Sequence, residues 1–448
     1  MKDMTEGNVS KTLIMFTLPM LLSVMFQQFY NMADSMIVGK FVGEAALGAV
    51  GSSYTITMIF VAIAVGSNSG CAVVISHLFG NKNYVDMKTT INTVFITAAI
   101  LSIALTAIGL MFYIPVMDMI KTPADVYNDA MTYLRIYIYG LTFLIIYNVS
   151  NGIYTALGDS RTPLVFLICS SVGNIFLDLY FVISLKMGVA GAAWATFITQ
   201  GIASVLSFIT LTIKLKKIKP EEKPKLFSFR QLKSVCFVAI PSILQQSFVS
   251  VGNMFIQSLV NSFGSAVLAG YSSAIKINTF AITSFTSLGS SMSSFTAQNM
   301  GAGKPERVKE GYRAGNKIAI ISALVCSFIF LFFGKSILML FLNDESALAL
   351  DTGIRFLRIV SPFYIVITLK LIADGVLKGS KAMGCFMFAT FSDLIIRVIL
   401  AYTFALGLNL GATGIWLSWP IGWALATAMS VCFYLKGVWL KKYNLQHN

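Results

Sequence analysis

The chain has 448 residues, of which 56% are hydrophobic and only 12% are charged, with a formal net charge of +14. Soluble globular proteins carry about 25% charged residues, so this composition excludes a soluble protein and indicates an integral membrane protein. The sequence holds two histidines and no HExxH, GxSxG or P-loop motif. It therefore predicts neither an enzyme nor a cofactor.

Twelve apolar segments are long enough to cross the bilayer, since spanning about 30 Å of hydrocarbon takes about 20 helical residues. They fill most of the chain and leave short loops, so the sequence predicts an all-α protein with twelve transmembrane helices. The spans are predicted at residues 13–38, 45–76, 90–115, 132–157, 163–184, 188–213, 234–261, 266–297, 316–342, 353–377, 384–407 and 411–435.

The positive charge follows the topology of a membrane protein rather than the surface of a nucleic-acid-binding protein. With a cytoplasmic amino terminus, 23 Lys and Arg fall in the inner loops and tails, and seven fall in the outer loops and their flanks. By the positive-inside rule, both termini are expected in the cytoplasm, with the protein in the plasma or inner membrane. The basic linker at residues 214–233 is expected to lie against anionic lipid.

The first span contains a carboxyl group whose burial in hydrocarbon costs free energy. Its end reads QQFYNMADSMIVG, residues 27–39, and includes Asn31 and Asp34. A carboxylate inside hydrocarbon is costly unless it is protonated, paired or hydrated, so an acid at this depth indicates function. Asn31 and Asp34 are spaced i, i+3 and are expected to share one face of the helix.

Spans 5 and 6 add polar groups at the same depth. Asn174 and Asp178, spaced i, i+4, share one face of span 5, and Thr196 follows on span 6. At about 1.5 Å per residue, Asp34, Asp178 and Thr196 all lie roughly 8–15 Å from the outer surface. They predict an oxygen-rich site that binds a hard cation such as Na⁺ or shares a proton between two acids.

The two halves of the chain repeat each other. GEAALGAV at 43–50 matches GSAVLAGY at 264–271, an offset of 221 residues, and later matches fall at offsets of 222 and 223. Because each half holds six spans, both halves insert with the same orientation, which predicts a pseudo-twofold axis along the membrane normal. The predicted domains are an N-lobe at 1–213, the linker at 214–233 and a C-lobe at 234–448.

The second half treats its charges differently. At an offset of 223, Asn174 corresponds to Arg397 and Asp178 to Ala401. Asp393 lies four residues before Arg397, a spacing at which the two are predicted to neutralise each other. The acids of the first half, Asp34 and Asp178, have no basic residue within their own spans to pair with.

Two further charged positions in the second half keep more than one interpretation. Lys370, one turn before Asp374, is able to pair with it, which leaves Asp374 either structural or functional. Lys276 in span 8 either extends to the interface or pairs with an acid.

These motifs resemble those of the MATE (multidrug and toxic compound extrusion) family. The resemblance is carried by LPMLLSVMFQQFYNMADSMIVG, by the hairpins GNKN and GAGKPERV, and by GVAGAAWATFI, and it covers nearly the whole chain. It implies two six-helix lobes around a central cavity and a cation-driven antiporter.

For the branch of the family that couples ions in the N-lobe, the resemblance implies a cation or proton site at four positions. These are Asp34, Asn174, Asp178 and Thr196, with Tyr30, Asn31, Asn151 and Gln200 as supporting or substrate-lobe residues. The second branch uses acids in spans 7 and 10, and span 7 of this chain has none.

Together with the sequence, this resemblance implies a monomeric antiporter that exports small organic, amphipathic cations in exchange for H⁺ or Na⁺. A lipid-linked sugar flippase and a dedicated metabolite exporter of the same superfamily stay open as alternatives. A flippase cavity is expected to hold phosphate with basic residues, for which the candidates in this chain, away from the flanks of the spans, are Lys276, Lys370 and Arg397.

Overall fold

The structure is a computed structural model that describes residues 2–119, 122, 124, 126–340 and 347–441, and its regular elements there are all helical. The α-helices are α1 Val9–Phe41, α2 Glu44–Gly80, α3 Tyr84–Met119, α4 Tyr127–Tyr139, α5 Leu141–Ala156, α6 Arg161–Leu179, α7 Gly188–Lys216, α8 Phe229–Asn261, α9 Ser265–Gly301, α10 Pro305–Leu338, α11 Ala347–Val360, α12 Tyr364–Gly379, α13 Met383–Tyr402 and α14 Gly411–Leu435.

The predicted spans appear in the predicted order. Ten helical stretches are long and apolar enough to cross a membrane, and an eleventh forms from α4 and α5, which meet at a 49° bend. The twelfth is α9, whose 37 residues are rich in serine and threonine. The all-α, twelve-span prediction is therefore confirmed over the described residues, while the end of the ninth span, at 341–342, lies outside them.

The chain packs as two compact units. The first holds Met1–Asp3 and Leu22–Ile243, and the second holds Met4–Leu21 and Leu244–Asn448. The first half of α1 thus packs within the second unit, and the first half of α8 within the first. Each change of unit comes two residues after a proline inside a helix, Pro19 or Pro241. The domain boundary at 214–233 stays a prediction of the sequence repeat.

Glycines allow close helix packing in the first unit. A Cβ added to Gly152 of α5 would lie 2.5 Å from the backbone oxygen of Asn68 on α2. A Cβ added to Gly70 of α2 would lie 2.7 Å from the Cβ of Ala239 on α8. Small residues let helix backbones approach in a membrane, where van der Waals packing drives association.

Aromatic side chains fill the second unit. Tyr271 of α9 stacks on Trp416 of α14, with ring centroids 5.1 Å apart and an interplanar angle of 9°. Phe356 of α11 meets both rings edge-on. Such offset and edge-to-face pairs add to the stability gained from burial alone, and they fix α14 against its neighbours.

The repeat seen in the sequence extends to special backbone conformations. Left-handed φ angles occur at equivalent positions in the two halves, where glycine in one half often matches a polar residue in the other. The matched pairs are Gly43 and Gly264, Lys82 and Gly303, Gly158 and Lys381, Lys186 and Asn409, and Gly188 and Gly411. A π-helical turn follows α6 at Tyr180–Ser184 and α13 at Thr403–Gly407, an offset of 223.

The segments that precede α1 and α8 are held in place by hydrogen bonds. In the second unit, Arg307 of α10 donates to three backbone carbonyls of residues 4–7 at 3.0 to 3.3 Å. In the first unit, two backbone amides of the basic linker donate to the hydroxyls of Thr89 and Thr93 on α3. Both segments are therefore ordered parts of their units.

A buried ion pair closes the loop between α5 and α6. Lys214 at the end of α7 lies 2.5 Å from the carboxylate of Asp159, which is only 8% exposed. Thr162 donates to the same carboxylate through its hydroxyl and its backbone amide. Burial raises the pKa of Asp159, but the hydrogen bonds from Lys214 and Thr162 outweigh it, so the pKa lies below its usual value.

This pair predicts a stability difference that depends on pH. Because the folded-state pKa of Asp159 is lowered, its stabilising contribution is complete above the unfolded-state pKa of about 4 and is lost as pH falls through the folded-state value. We expect Asp159→Asn to lower the thermal unfolding temperature in detergent at neutral pH. The difference from wild type should shrink below about pH 4. A difference that stays constant across this range, or that appears equally for exposed Asp129→Asn, would contradict the assignment.

Candidate functional site

Two carboxyl groups meet inside the first unit. Asp34 on α1 and Asp178 on α6 lie within hydrogen-bonding reach of each other. The Asp178 side chain is fully buried. Oδ1 of each acid is enclosed and has no hydrogen-bond partner among the described residues. The structure therefore brings together the two acids that the sequence singled out from different helices.

Amide and hydroxyl groups surround the acids. In the amide orientation that satisfies both of its ends, Asn174 donates to Oδ2 of Asp178 at 2.6 Å and accepts from the backbone amide of Thr196 at 3.1 Å. The Tyr30 hydroxyl lies 3.5 Å from Oγ1 of Thr196. One helical turn separates Asn174 from Asp178, so α6 holds both against α1 and α7.

Two neighbours of the acids were missed by the sequence analysis. The hydroxyl of Thr199 lies 3.4 Å from the amide group of Asn174, and its i, i+3 spacing from Thr196 is a signal that could have revealed it. Tyr133 on α4 is close enough for electrostatic interaction with Asp34, Tyr30 and Asp178. No sequence pattern marks Tyr133, because it reaches the acids only through the packing of α4.

Three supporting candidates lie outside the hydrogen-bonded cluster. Asn31 has an exposed side chain and does not share the environment of Asp34. Asn151 on α5 is half-buried and makes no hydrogen bond to the cluster within the part of the chain described. Gln200 lines, with Thr196 and Tyr133, a cavity of about 10 Å³, which is roughly the room for one water.

In the part of the chain that the structure describes, the ionisable acids of the cluster, Asp34 and Asp178, are not balanced by a nearby positive charge. No ion pair reaches Asp34 or Asp178 among the described residues. Two ionised carboxylates at hydrogen-bonding distance repel strongly, so this arrangement favours a shared proton or a bound cation. Over the described residues no group of three or more His, Cys, Asp or Glu converges. The available ligands are carboxylate, amide and hydroxyl oxygens, which suit a hard cation.

In the second unit, Asp374 is paired with Lys370. Their charged atoms lie 2.6 Å apart, and both side chains are about 5% exposed. Ser430 on α14 donates to the other carboxylate oxygen of Asp374 at 2.6 Å. The pairing with Lys370 that the sequence allowed is therefore observed, and the role of Asp374 stays a prediction. Lys276 lies on α9 with an exposed side chain.

The predicted neutralisation of Arg397 by Asp393 is wrong. Both side chains are buried, but no ion pair joins them among the described residues. The guanidinium carbon of Arg397 instead lies 4.5 Å from the ring centroid of Trp419 on α14. An i, i+4 spacing permits a pair along one helix, but packing of α13 against α14 directs the arginine onto the indole face.

Over the described residues, apolar helices long enough to span a membrane recur in both halves, and a pair of acids is enclosed in one unit, which are the features of an integral membrane transporter. The MatE family model matches residues 19–180 and 241–403, one match in each half of the chain. This chain belongs to the MatE family.

The relatives match between 78% and 98% of this chain. Probable multidrug resistance protein YpnP of Bacillus subtilis (strain 168) is 30% identical over 439 residues, which cover 98% of this chain and 97% of that protein. An FAD transporter of Shewanella oneidensis is 23% identical over 362 residues, or 78% of each chain. A solved MOP superfamily transporter from Pyrococcus furiosus aligns with a TM-score of 0.92 at 24% identity and covers 98% of each chain.

Membership in this family confirms several sequence-based predictions. The chain is a multi-pass membrane transporter of small molecules and not an enzyme.

Proposed function

We propose that this protein is a secondary antiporter that exports organic, amphipathic cations in exchange for H⁺ or Na⁺ at the Asp34–Asp178 pair. The observation that carries the proposal is the meeting of two acids from different helices without a basic partner among the described residues. A structural role would be served better by a paired acid, as Asp374 and Lys370 show in the second unit.

We favour the proton as the coupling ion. Two carboxyl groups within hydrogen-bonding reach of each other avoid repulsion when one carries a proton and donates it to the other, since an ionised carboxylate only accepts. Na⁺ is the second candidate, supported by the open Oδ1 atoms of both acids and by the hydroxyl oxygens of Thr196 and Tyr30 in the same cluster.

The proposed cycle uses neutralisation of the acids to change helix packing. Binding of a cation to Asp34 and Asp178 from outside removes their repulsion and lets α1, α6 and α7 repack, which displaces substrate outward. Release of the cation inside restores the repulsion and the affinity for substrate. Cation and substrate thus compete for one unit, so no nucleotide is needed. We place both termini in the cytoplasm and the protein, as a monomer, in the plasma membrane.

A second candidate function is a dedicated metabolite exporter. It is supported by the similarity to the Shewanella oneidensis FAD transporter, at 23% identity over 78% of the chain. The same fold is expected for a multidrug antiporter and for a metabolite exporter, so only the transported substrate distinguishes the two functions. A flippase has weaker support, because Lys370 is paired with Asp374 and Arg397 lies against Trp419.

The decisive experiment imposes ion gradients on purified protein in liposomes. With an outward-directed pH gradient, we expect accumulation of a cationic dye such as ethidium that collapses when a protonophore is added. A Na⁺ gradient at constant pH tests the second ion. Dye movement that ignores both gradients, or that requires ATP, would refute the antiporter.

A further inference from the structure

The second unit contains an equivalent of the proposed coupling site, with opposite charge. At the repeat offset of 223, Asn174 corresponds to Arg397 and Thr196 to Trp419. Asn174 meets Thr196 across α6 and α7, and Arg397 meets Trp419 across the equivalent pair, α13 and α14. The repeated framework therefore places a permanent cation where the first unit places a cluster of acids and amides.

At two positions, a large side chain of the first site is replaced by a much smaller one at the second site. Asp178 corresponds to Ala401 at the offset of 223, and Tyr30 corresponds to Gly252 at 222. A carboxylate and a phenol are thus replaced by a methyl group and a hydrogen. This change removes the acid that would quench Arg397 from one turn away and the ring that would cover the site from α8.

Three polar atoms at this place have no partner within the described part of the chain. They are Nε of Arg397, the indole Nε1 of Trp419 and Oδ1 of Asp393. Their side chains are 5%, 5% and 7% exposed. Over the described residues, no hydrogen bond or ion pair reaches Arg397. A buried charge or donor without a partner is costly, so such atoms usually have a partner in the functioning protein.

The indole ring of Trp419 compensates only part of the cost of burying the Arg397 guanidinium. A guanidinium over the face of a tryptophan gains cation–π attraction, but its N–H donors point along the guanidinium plane and stay open. Arginine does not deprotonate inside proteins, so it cannot become neutral to avoid the cost. Arg397 and Trp419, which are in contact, each have an open N–H donor, and Asp393, one helical turn before Arg397, has an open carboxylate oxygen. These groups match a ligand that carries both an acidic group and a hydrogen-bond donor.

We propose that Arg397 and Trp419 form a substrate subsite that binds the carboxylate of a zwitterionic, aromatic compound, with Asp393 accepting a hydrogen bond from a donor of the same compound. This inference rests on the proposed function in taking the substrate to be an organic molecule, and it narrows the class from simple cations to zwitterions. The rings of Phe356 and Trp423 pack edge-on against Trp419, so the subsite lies beside the aromatic core of the second unit.

A matched pair of dyes tests the subsite. Rhodamine 110 carries a free carboxylate, and rhodamine 123 is its methyl ester with the same xanthene ring. We expect Arg397→Gln to weaken binding of rhodamine 110 to the purified full-length protein by about tenfold or more, since a hydrogen bond to a charged group is lost. Binding of the ester, measured by fluorescence polarisation in detergent, should hardly change.

Two milder variants guard against a folding defect. Trp419→Phe keeps an aromatic ring under the guanidinium and removes only the N–H, so it should weaken binding of the acid and spare the ester. Arg397→Lys keeps the charge and should retain most of the preference for the acid. If Arg397→Gln and Trp419→Phe affect both dyes equally, or affect neither dye, the arginine is purely structural and the inference is overturned.

The result is separable from the antiporter proposal. Binding in detergent uses no gradient, so intact discrimination between the dyes with no gradient-driven transport would refute antiport alone. Failure of the wild-type protein to bind rhodamine 110 while it binds rhodamine 123 would refute the subsite alone.

Discussion

Asp34→Asn and Asp178→Asn are each expected to abolish gradient-driven dye efflux while the protein is still produced and inserted. Asparagine has nearly the shape of aspartate but neither binds a proton nor carries charge, so either change removes one half of the carboxyl pair. Because the two acids lie within hydrogen-bonding reach of each other, one change should be as damaging as the other. The measurement is dye accumulation in everted vesicles under imposed pH or Na⁺ gradients.

The control for this experiment is Asp129→Asn. Asp129 lies in the first turn of α4 with an exposed side chain and carries the same change of charge. Its variant should pump at the wild-type rate. If Asp34→Asn pumps as well as Asp129→Asn does, the acid pair is not the coupling site, whatever its geometry.

The second large effect is expected at Asp374, on stability rather than transport. Removing one partner of a buried ion pair costs about 3–5 kcal/mol, because the other charge is left uncompensated. Asp374 pairs with Lys370 and also acts electrostatically on Lys378. Asp374→Asn should therefore lower the unfolding temperature in detergent strongly, and more than Lys370→Met, which leaves an acid that is able to take up a proton.

A double variant separates the lost pair from lost packing. Lys370→Met with Asp374→Asn removes both charges, and it should be more stable than Asp374→Asn alone. Additive losses in the double variant would mean that the two side chains contribute independently and that the pair has no special weight. Arg355→Met is a matched control, since Arg355 forms an exposed pair with Asp351, and exposed pairs contribute about 0–1 kcal/mol.

The sequence predicted what depends on composition and on spacing along one helix. Long apolar runs located the spans, and the offset of about 221–223 residues located equivalent positions, down to the left-handed turns at Lys186 and Asn409. Depth counting along α1 and α6 was enough to expect Asp34 and Asp178 at one level. The identification of the family added the expected site residues, and their role stays a prediction.

The sequence failed where the outcome depends on how helices pack against each other. Asp393 and Arg397 have the right spacing for a pair, yet the face of Trp419 on α14 holds the arginine. Asn31 has the right spacing from Asp34, yet its side chain is exposed. In both cases one-helix geometry was correct, and the neighbouring helix decided which contact formed.

The exchange of helix halves at Pro19 and Pro241 has a consequence for biogenesis. The first unit lacks its α8 segment until translation passes residue 243, although its other helices are complete nearly thirty residues earlier. The amino-terminal half of α1 stays in the bilayer without its packing partners until the helices of the second unit leave the translocon. A gene split inside the basic linker should therefore yield two polypeptides that mature only when co-expressed, each supplying the segment that completes the other.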